Sequence, residues 1–396
     1  MSGTRPWHRR AGTAALSGVT ALIMIMILGA IAPSAQGAPR GRSSSRTPSP
    51  SANPSSVSSP ASSARPSAGA ARQVPLLAYF YIWFNPSSWN RLKIDYPLIG
   101  RYSSNDVSIM RQQVKMAKQS GITGFLVSWK DTPVLNRRLA ALRSVAAAAG
   151  FKLGIVIEGR DFYGNPMSTR KIRQSFGYLA TNYGSDPVFN IFGKPLVAWS
   201  GTWLFSTRQL TAISKAYGSK LTILATEKQP DDYQLIAKLF RGDAYYWSSP
   251  DPRHTPDYAS KLVEFSKVVH QHHGLWIAPA APGFDARLLG GIRDIRRRRG
   301  QTLRLELNAA IASSPDAIGL ISWNEYSENS EIEPSNEYGG TALKVVAAVE
   351  HARAPVVRDF NSSDPAGFHA GPSQLVILCV FLLLLGGSIA IVVKRR

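Results

Sequence analysis

Several things are scarce in this chain, and each scarcity removes a class of function. There is one cysteine in 396 residues, Cys379, so no disulfide can form within the chain. Acids are few, 25 against 46 lysines and arginines, for a formal net charge of +21. Much of that excess sits in the terminal regions, which points to anionic envelope polymers or lipid headgroups and not to nucleic acid. No glycine-rich phosphate loop follows the first apolar run, and neither Ser128 nor Ser322 sits in the glycine-flanked turn of a hydrolase nucleophile. The one histidine cluster, HQHHG at 270–274, has no acidic partner motif and precedes a strand, at the end of a barrel away from chemistry. Neither metal nor cofactor is implied.

Long apolar runs are present, and they lie at the two ends. Arg9 and Arg10 precede AGTAALSGVTALIMIMILGAIAPSAQGA, giving residues 1–38 the form of a signal peptide or an uncleaved N-terminal anchor. Residues 374–393, QLVILCVFLLLLGGSIAIVV, are long enough to cross a hydrocarbon core and stop at the basic residues 394–396. The expected topology is therefore a cell-membrane protein, single-pass or two-pass, with its middle outside. Residues 39–73 are Ser/Pro/Ala/Arg-rich and cannot bury enough apolar surface to fold, so they form a disordered linker. A second linker spans 353–373.

Between the linkers, 74–352, strand-like and helix-like segments alternate. LLAYFYIWF, ITGFLVSW, KLGIVIEG, PLVAWSG, KLTILATE, DAYYWSS, GLWIAPAA and AIGLISWNE read as strands, separated by stretches of helical periodicity such as NDVSIMRQQVKMAKQSG. Eight such units imply an α/β fold, a single (β/α)8 TIM barrel; an open doubly wound sheet is the alternative. In a barrel the chemistry lies at the C-terminal ends of the strands. There the sequence puts Trp129, Glu158, Glu227, Trp247 and Glu325, with Tyr79, Tyr81 and Trp83 alternating along the first strand. Rings that stack on sugar faces, next to carboxylates that bind hydroxyls, suit a carbohydrate site.

GLISWNEYSENSEIEPSNEYGG (319–340) concentrates acids at the mouth of the last strand. Glu325 and Glu328 could enter one cleft if the loop coils back, as glycosidic cleavage requires of two carboxyls. On charge alone, a solvated acidic loop capping the last helix is the favoured reading, and Glu331 and Glu333 read as structural or peripheral. Arg296 to Arg299 fall in the loop after strand seven, as a solvated basic loop or a substrate contact.

SWNEYSENSEIEPS resembles the FNEWHEGTQIEP signature of glycoside hydrolase family 99, the endo-α-mannosidase family. IGRYSSNDVSIMRQQVKMAKQSGITGFLVSW, KLGIVIEG (against HIEPY) and APGFDAR (against PGYDDR) are similar to further family segments, in the same order. The resemblance implies a metal-free (β/α)8 enzyme that cuts within α-mannose-containing glycans with retention. It implies that Glu325 is the base on the sugar's 2-hydroxyl and Glu328 the acid and then base. It further implies substrate contacts for Glu158, Trp129, Tyr81, Trp83, Tyr326 and Arg299. Tyr326 and Ser327 replace the family's Trp and His between the two acids, and Ile157, Gly159 and Arg160 alter the third strand's end, so the walls differ where the acids do not. The resulting expectation is a monomeric, membrane-anchored extracytoplasmic glycoside hydrolase whose partners are an α-mannoside oligosaccharide or polysaccharide and the membrane. A non-catalytic surface glycan-binding protein and a polysaccharide-biosynthesis accessory are the other readings.

Overall fold

The computed structural model describes residues 74–352. The expected leader or anchor (1–38), linkers (39–73 and 353–373), membrane helix (374–393) and basic stop (394–396) lie outside the described residues. Among the described residues, no helix is long and apolar enough to cross a membrane.

Eight parallel strands form one sheet: β1 (Leu76–Tyr81), β2 (Gly124–Trp129), β3 (Lys152–Glu158), β4 (Leu196–Ser200), β5 (Thr222–Leu224), β6 (Gly242–Ala244), β7 (Leu275–Ala280) and β8 (Ala317–Leu320). They run in the order β5-β4-β3-β2-β1-β8-β7-β6. A parallel bridge between Ala225 and Asp243 joins the two outer strands, with Ala225 N–H donating to Gly242 O at 2.9 Å and Ala244 N–H to Ala225 O at 2.8 Å. The sheet thereby closes on itself, and an open doubly wound sheet is set aside. A helix follows each strand: α1 (Val107–Gln119), α2 (Pro133–Ala149), α3 (Thr169–Asn182), α4 (Thr207–Tyr217), α5 (Pro230–Ile236), α6 (Tyr258–Gln271), α7 (Gln301–Ala312) and α8 (Thr341–Ala352).

Local signals set the element ends. Asp106 caps α1 by accepting from the Ser108 and Ile109 N–H groups, and Thr132 caps α2, which begins on Pro133 and ends at left-handed Gly150. Along each strand, alternate residues divide two cores. Leu77, Tyr79, Leu126, Val156, Ala198, Leu224, Ala244 and Ile277 fill the barrel. Ala78, Phe80, Phe125, Val127, Ile155, Ile157 and Trp199 face the helices. At the inward position 319 of β8 only glycine fits, since a Cβ there would sit 2.9 Å from the Tyr79 ring. Gly242, at φ 143°, lets β6 approach the β7 backbone, where a Cβ would lie 2.0 Å from Leu275 O.

Candidate active site

The loop after β8 turns back on itself. Glu328 N–H and Ser330 N–H both donate to Glu325 O at 3.3 Å, and Asn329 takes a left-handed φ of 49°. Ser322 N–H donates to Ser330 O at 2.8 Å, and Glu333 N–H to Trp323 O at 2.9 Å. This coil brings the Glu325 and Glu328 carboxyls to the same side, both almost wholly buried. Neighbouring loops fix it. Asp285 N–H, in the loop after β7, donates to Glu328 O at 2.7 Å. Asn324 joins the loop to β1, its Oδ1 accepting from Tyr81 N–H at 2.8 Å while its Nδ2 donates to Tyr81 O at 3.0 Å.

Electrostatics separate the two acids. Burial raises the Glu325 pKa, while the Ser327 N–H at 3.0 Å and the nearby Lys93 charge pull it back. Burial raises Glu328 further, and the charges of Glu325 and Glu158 add to the rise. Among the described residues no side-chain hydrogen bond engages the Glu328 carboxyl, so it is free to meet a substrate oxygen. Tyr81 and Tyr246 share a hydrogen bond at 3.0 Å between their hydroxyls and lie in the field of both acids. Burial keeps both phenols protonated, hence available as donors. Glu158 ends β3 on the inward face and accepts from Ser128 Oγ at 2.5 Å. Trp83, half-buried, lies 4.5 Å from the Tyr81 ring. Thus Glu325, Glu328, Glu158, Tyr81 and Trp83 gather at one end of the barrel.

Three expected contacts do not. Trp129 is 1% exposed and points outward, stacking on Tyr178 at 5.6 Å and donating from Nε1 to Asn136 Oδ1 at 3.0 Å. The inward residue at that strand end is Ser128. Tyr326 is buried behind the loop, its hydroxyl donating to Glu333 Oε2 at 3.0 Å and its ring against Trp89 at 5.6 Å. Arg299 is exposed, and its neighbour Arg297 turns in instead. Arg297 donates to Glu331 Oε1 at 2.5 Å, Glu331 O at 2.6 Å and Asn329 O at 3.0 Å, with Tyr338 under its guanidinium at 3.9 Å. Trp247 likewise faces the helices, 5.1 Å from Tyr258, whereas Tyr246 faces the site. Glu227 is buried in the β5 exit, its N–H donating to Asp243 Oδ2 at 2.9 Å.

Glu331 and Glu333 hold the loop. Glu333 accepts from Tyr102 at 2.9 Å, Tyr326 at 3.0 Å and Gln113 at 2.8 Å. Tyr246, Asn324, Arg297 and Lys93 are the participants that sequence reasoning passed over. For Asn324 the signal was available: a buried amide beside a strand end must find partners. His270, at the far end of the barrel, pairs with Asp316 at 2.9 Å.

Two buried, mutually interacting carboxyls with different proton affinities suit acid–base work on a polyhydroxyl substrate, which sets the chain among glycoside hydrolases by class. Its family follows from sequence: the profile of glycosyl hydrolase family 99 matches residues 93–344, and the chain belongs to that family. It is 25% identical over 270 residues to a glycoprotein endo-alpha-1,2-mannosidase of Xenopus laevis, covering 60% of this chain and 58% of that one. A Rattus norvegicus protein of the same description is 22% identical over 264 residues, covering 60% and 56%. The chain thus spans less than two thirds of the length of these relatives. The GH99 endo-alpha-mannosidase structure from Bacteroides thetaiotaomicron has the same fold, with a TM-score of 0.61 at 20% identity over 70% of this chain and 96% of that one.

Proposed function

We propose that this chain is a retaining glycoside hydrolase that cleaves α-mannosidic linkages within a glycan, with Glu325 and Glu328 as its working acids. The coiled loop that buries both carboxyls together carries the reading. The Ser327 N–H and the Lys93 charge favour the ionised form of Glu325, and Glu328 has neither, so we assign the carboxylate to Glu325 and the proton to Glu328. Glu325 then takes the proton of the sugar 2-hydroxyl as O2 attacks C1, and Glu328 protonates the departing glycosidic oxygen. The product of that step is a 1,2-anhydro sugar. Water attacks C1 from the vacated side, giving its proton to Glu328; the C1–O2 bond breaks and Glu325 returns its proton to O2. Two inversions at C1 give net retention, and both acids end in their starting states.

Of the hydrogen-bonded Tyr81 and Tyr246 hydroxyls, one donates to the other and the second keeps its proton for a sugar oxygen, and Glu158 accepts from a hydroxyl. Trp83 offers a face for a neighbouring ring. The apolar segment 374–393 would hold the domain outside the cell membrane.

The test is release of reducing sugar from a panel of α-linked mannooligosaccharides by the full chain, with the product anomer read by NMR. The α-anomer should form first, and Glu325→Gln or Glu328→Gln should lower the rate by about 10²–10⁴. Binding without release, or release unaffected by either substitution, would overturn the assignment.

A further inference from the structure

The mouth of the site is built from three neighbouring loops, because β8 lies between β1 and β7 in the sheet. The loop after β1 and the loop after β7 clasp the Glu325–Glu333 loop from either side. Leu98 N–H donates to Pro334 O on one side, and Arg297 grips Glu331 on the other. Large apolar side chains left exposed on the described residues collect on the two flanking loops. Leu92, Ile94 and Leu98 belong to the first loop, Leu288 and Ile292 to the second, and these are five of nine such residues. Leu92 is 74% exposed and Ile292 90%.

Charge on the same loops is one-sided. Arg91 and Arg101 are exposed on the first, and Arg287, Arg293, Arg296, Arg298 and Arg299 on the second. Against these seven cations stand three exposed acids on the three loops, Asp106, Asp294 and Glu337. Asp106 is spent capping α1, and Arg287 is itself paired with Asp285 and, at 3.3 Å, with Asp294, which leaves six arginines against Glu337. Arginines interleaved with protruding aliphatic side chains match a surface that is anionic outside and hydrocarbon beneath. A polysaccharide would be met by aromatic rings or hydrogen-bonding groups; leucine and isoleucine offer it little. Acyl chains are what these side chains can enter.

We propose that the arginine-and-aliphatic rim formed by the loops after β1 and β7 is a docking face for an anionic lipid surface. The cleft then opens onto that surface. Docking does not rest on the hydrolase reading, so its test uses no catalysis.

The full chain carries Cys379→Ser and a single new cysteine, bearing an environment-sensitive fluorophore, at Ile292→Cys or, as a control, at Leu235→Cys. Leu235 is 83% exposed on α5, away from the rim. Apolar terminal segments are common to both proteins, so any difference between the labels belongs to the domain surface. With phosphatidylglycerol vesicles at low salt, emission at 292 should rise at least about twofold and shift blue, and emission at 235 should not change. Phosphatidylcholine vesicles should give no rise at 292. Adding Arg293→Glu and Arg296→Glu should weaken the vesicle dependence by at least about tenfold, since each arginine near such a surface is worth roughly fivefold in affinity. A silent label at 292, equal responses at both positions, or an equal response at 292 to soluble polyphosphate would overturn the proposal. The last of these would make the rim a polyanion site and not a lipid one.

Discussion

Arg297→Met tests whether the loop after β8 depends on a single buried clamp. The side chain is 8% exposed and donates to Glu331 Oε1, Glu331 O and Asn329 O. Losing three hydrogen bonds at about 1 kcal/mol each gives roughly 3 kcal/mol, and stranding a buried partner charge widens this to about 3–5 kcal/mol. The cost should also depend on pH. Burial pushes Glu331 up to about 7, against the pull of Arg297. A carboxyl whose folded pKa is raised binds more protons folded than unfolded. Its contribution is fully present below the unfolded value and is lost as pH rises to the folded one. In the wild type that loss ends near 7. Without Arg297 the folded value climbs further, and each added unit extends the loss by about 1.4 kcal/mol. Urea unfolding of the full chain near pH 5 and near pH 8 should therefore show a larger deficit at the higher pH, by about 1 kcal/mol. Arg299→Met should change stability by less than about 0.5 kcal/mol. A deficit below about 1 kcal/mol at both pH values, or one equal at both, would refute the clamp and its coupling to Glu331.

Other expectations follow from the same geometry. Because burial holds both Glu325 and Glu328 above the ordinary carboxylate range, the kcat/KM profile should rise on the acid side as Glu325 ionises and fall on the alkaline side as Glu328 ionises, with its optimum well above pH 5. Lys93→Met should move the acid limb upward, since the Lys93 charge favours ionised Glu325; an unmoved limb would show that this charge does not reach it. Glu328→Gln should lower turnover by about 10²–10⁴ yet leave the melting temperature unchanged or higher, read by calorimetry, because a buried carboxyl is replaced by a neutral group. Trp129→Ala should cost about 3–5 kcal/mol of stability, a core loss. Trp83→Ala, at a half-buried ring, should cost less stability than Trp129→Ala and should raise KM.

The barrel was legible because eight apolar runs alternate with capped, glycine-terminated helical stretches, and the acids were legible because they crowd one strand exit. Which face a side chain takes was not. Parallel strands are buried on both sides, so GFLVSW carries no polar alternation to tell whether Ser128 or Trp129 looks inward. In DAYYWSS the same ambiguity hid Tyr246 behind Trp247. Four consecutive arginines gave no means of choosing one; the left-handed backbone at Arg298 and Arg299 turns those two outward and Arg297 in. Tyr326, between the two acids, reads as pocket wall, but the coil of the loop rotates it to the back, where its hydroxyl donates to Glu333.

The ring of strands has one thin place. β5 and β6 are three residues each and meet through a single bridge, across the barrel from β1 and β2. Breathing of the cylinder should begin at that suture, letting solvent deuterium in between Ile223 and Ala244 while the frame around Asn324 stays shut. New termini cut at Lys228 would fall in this slack sector, so a recircularised chain should keep its cleft intact.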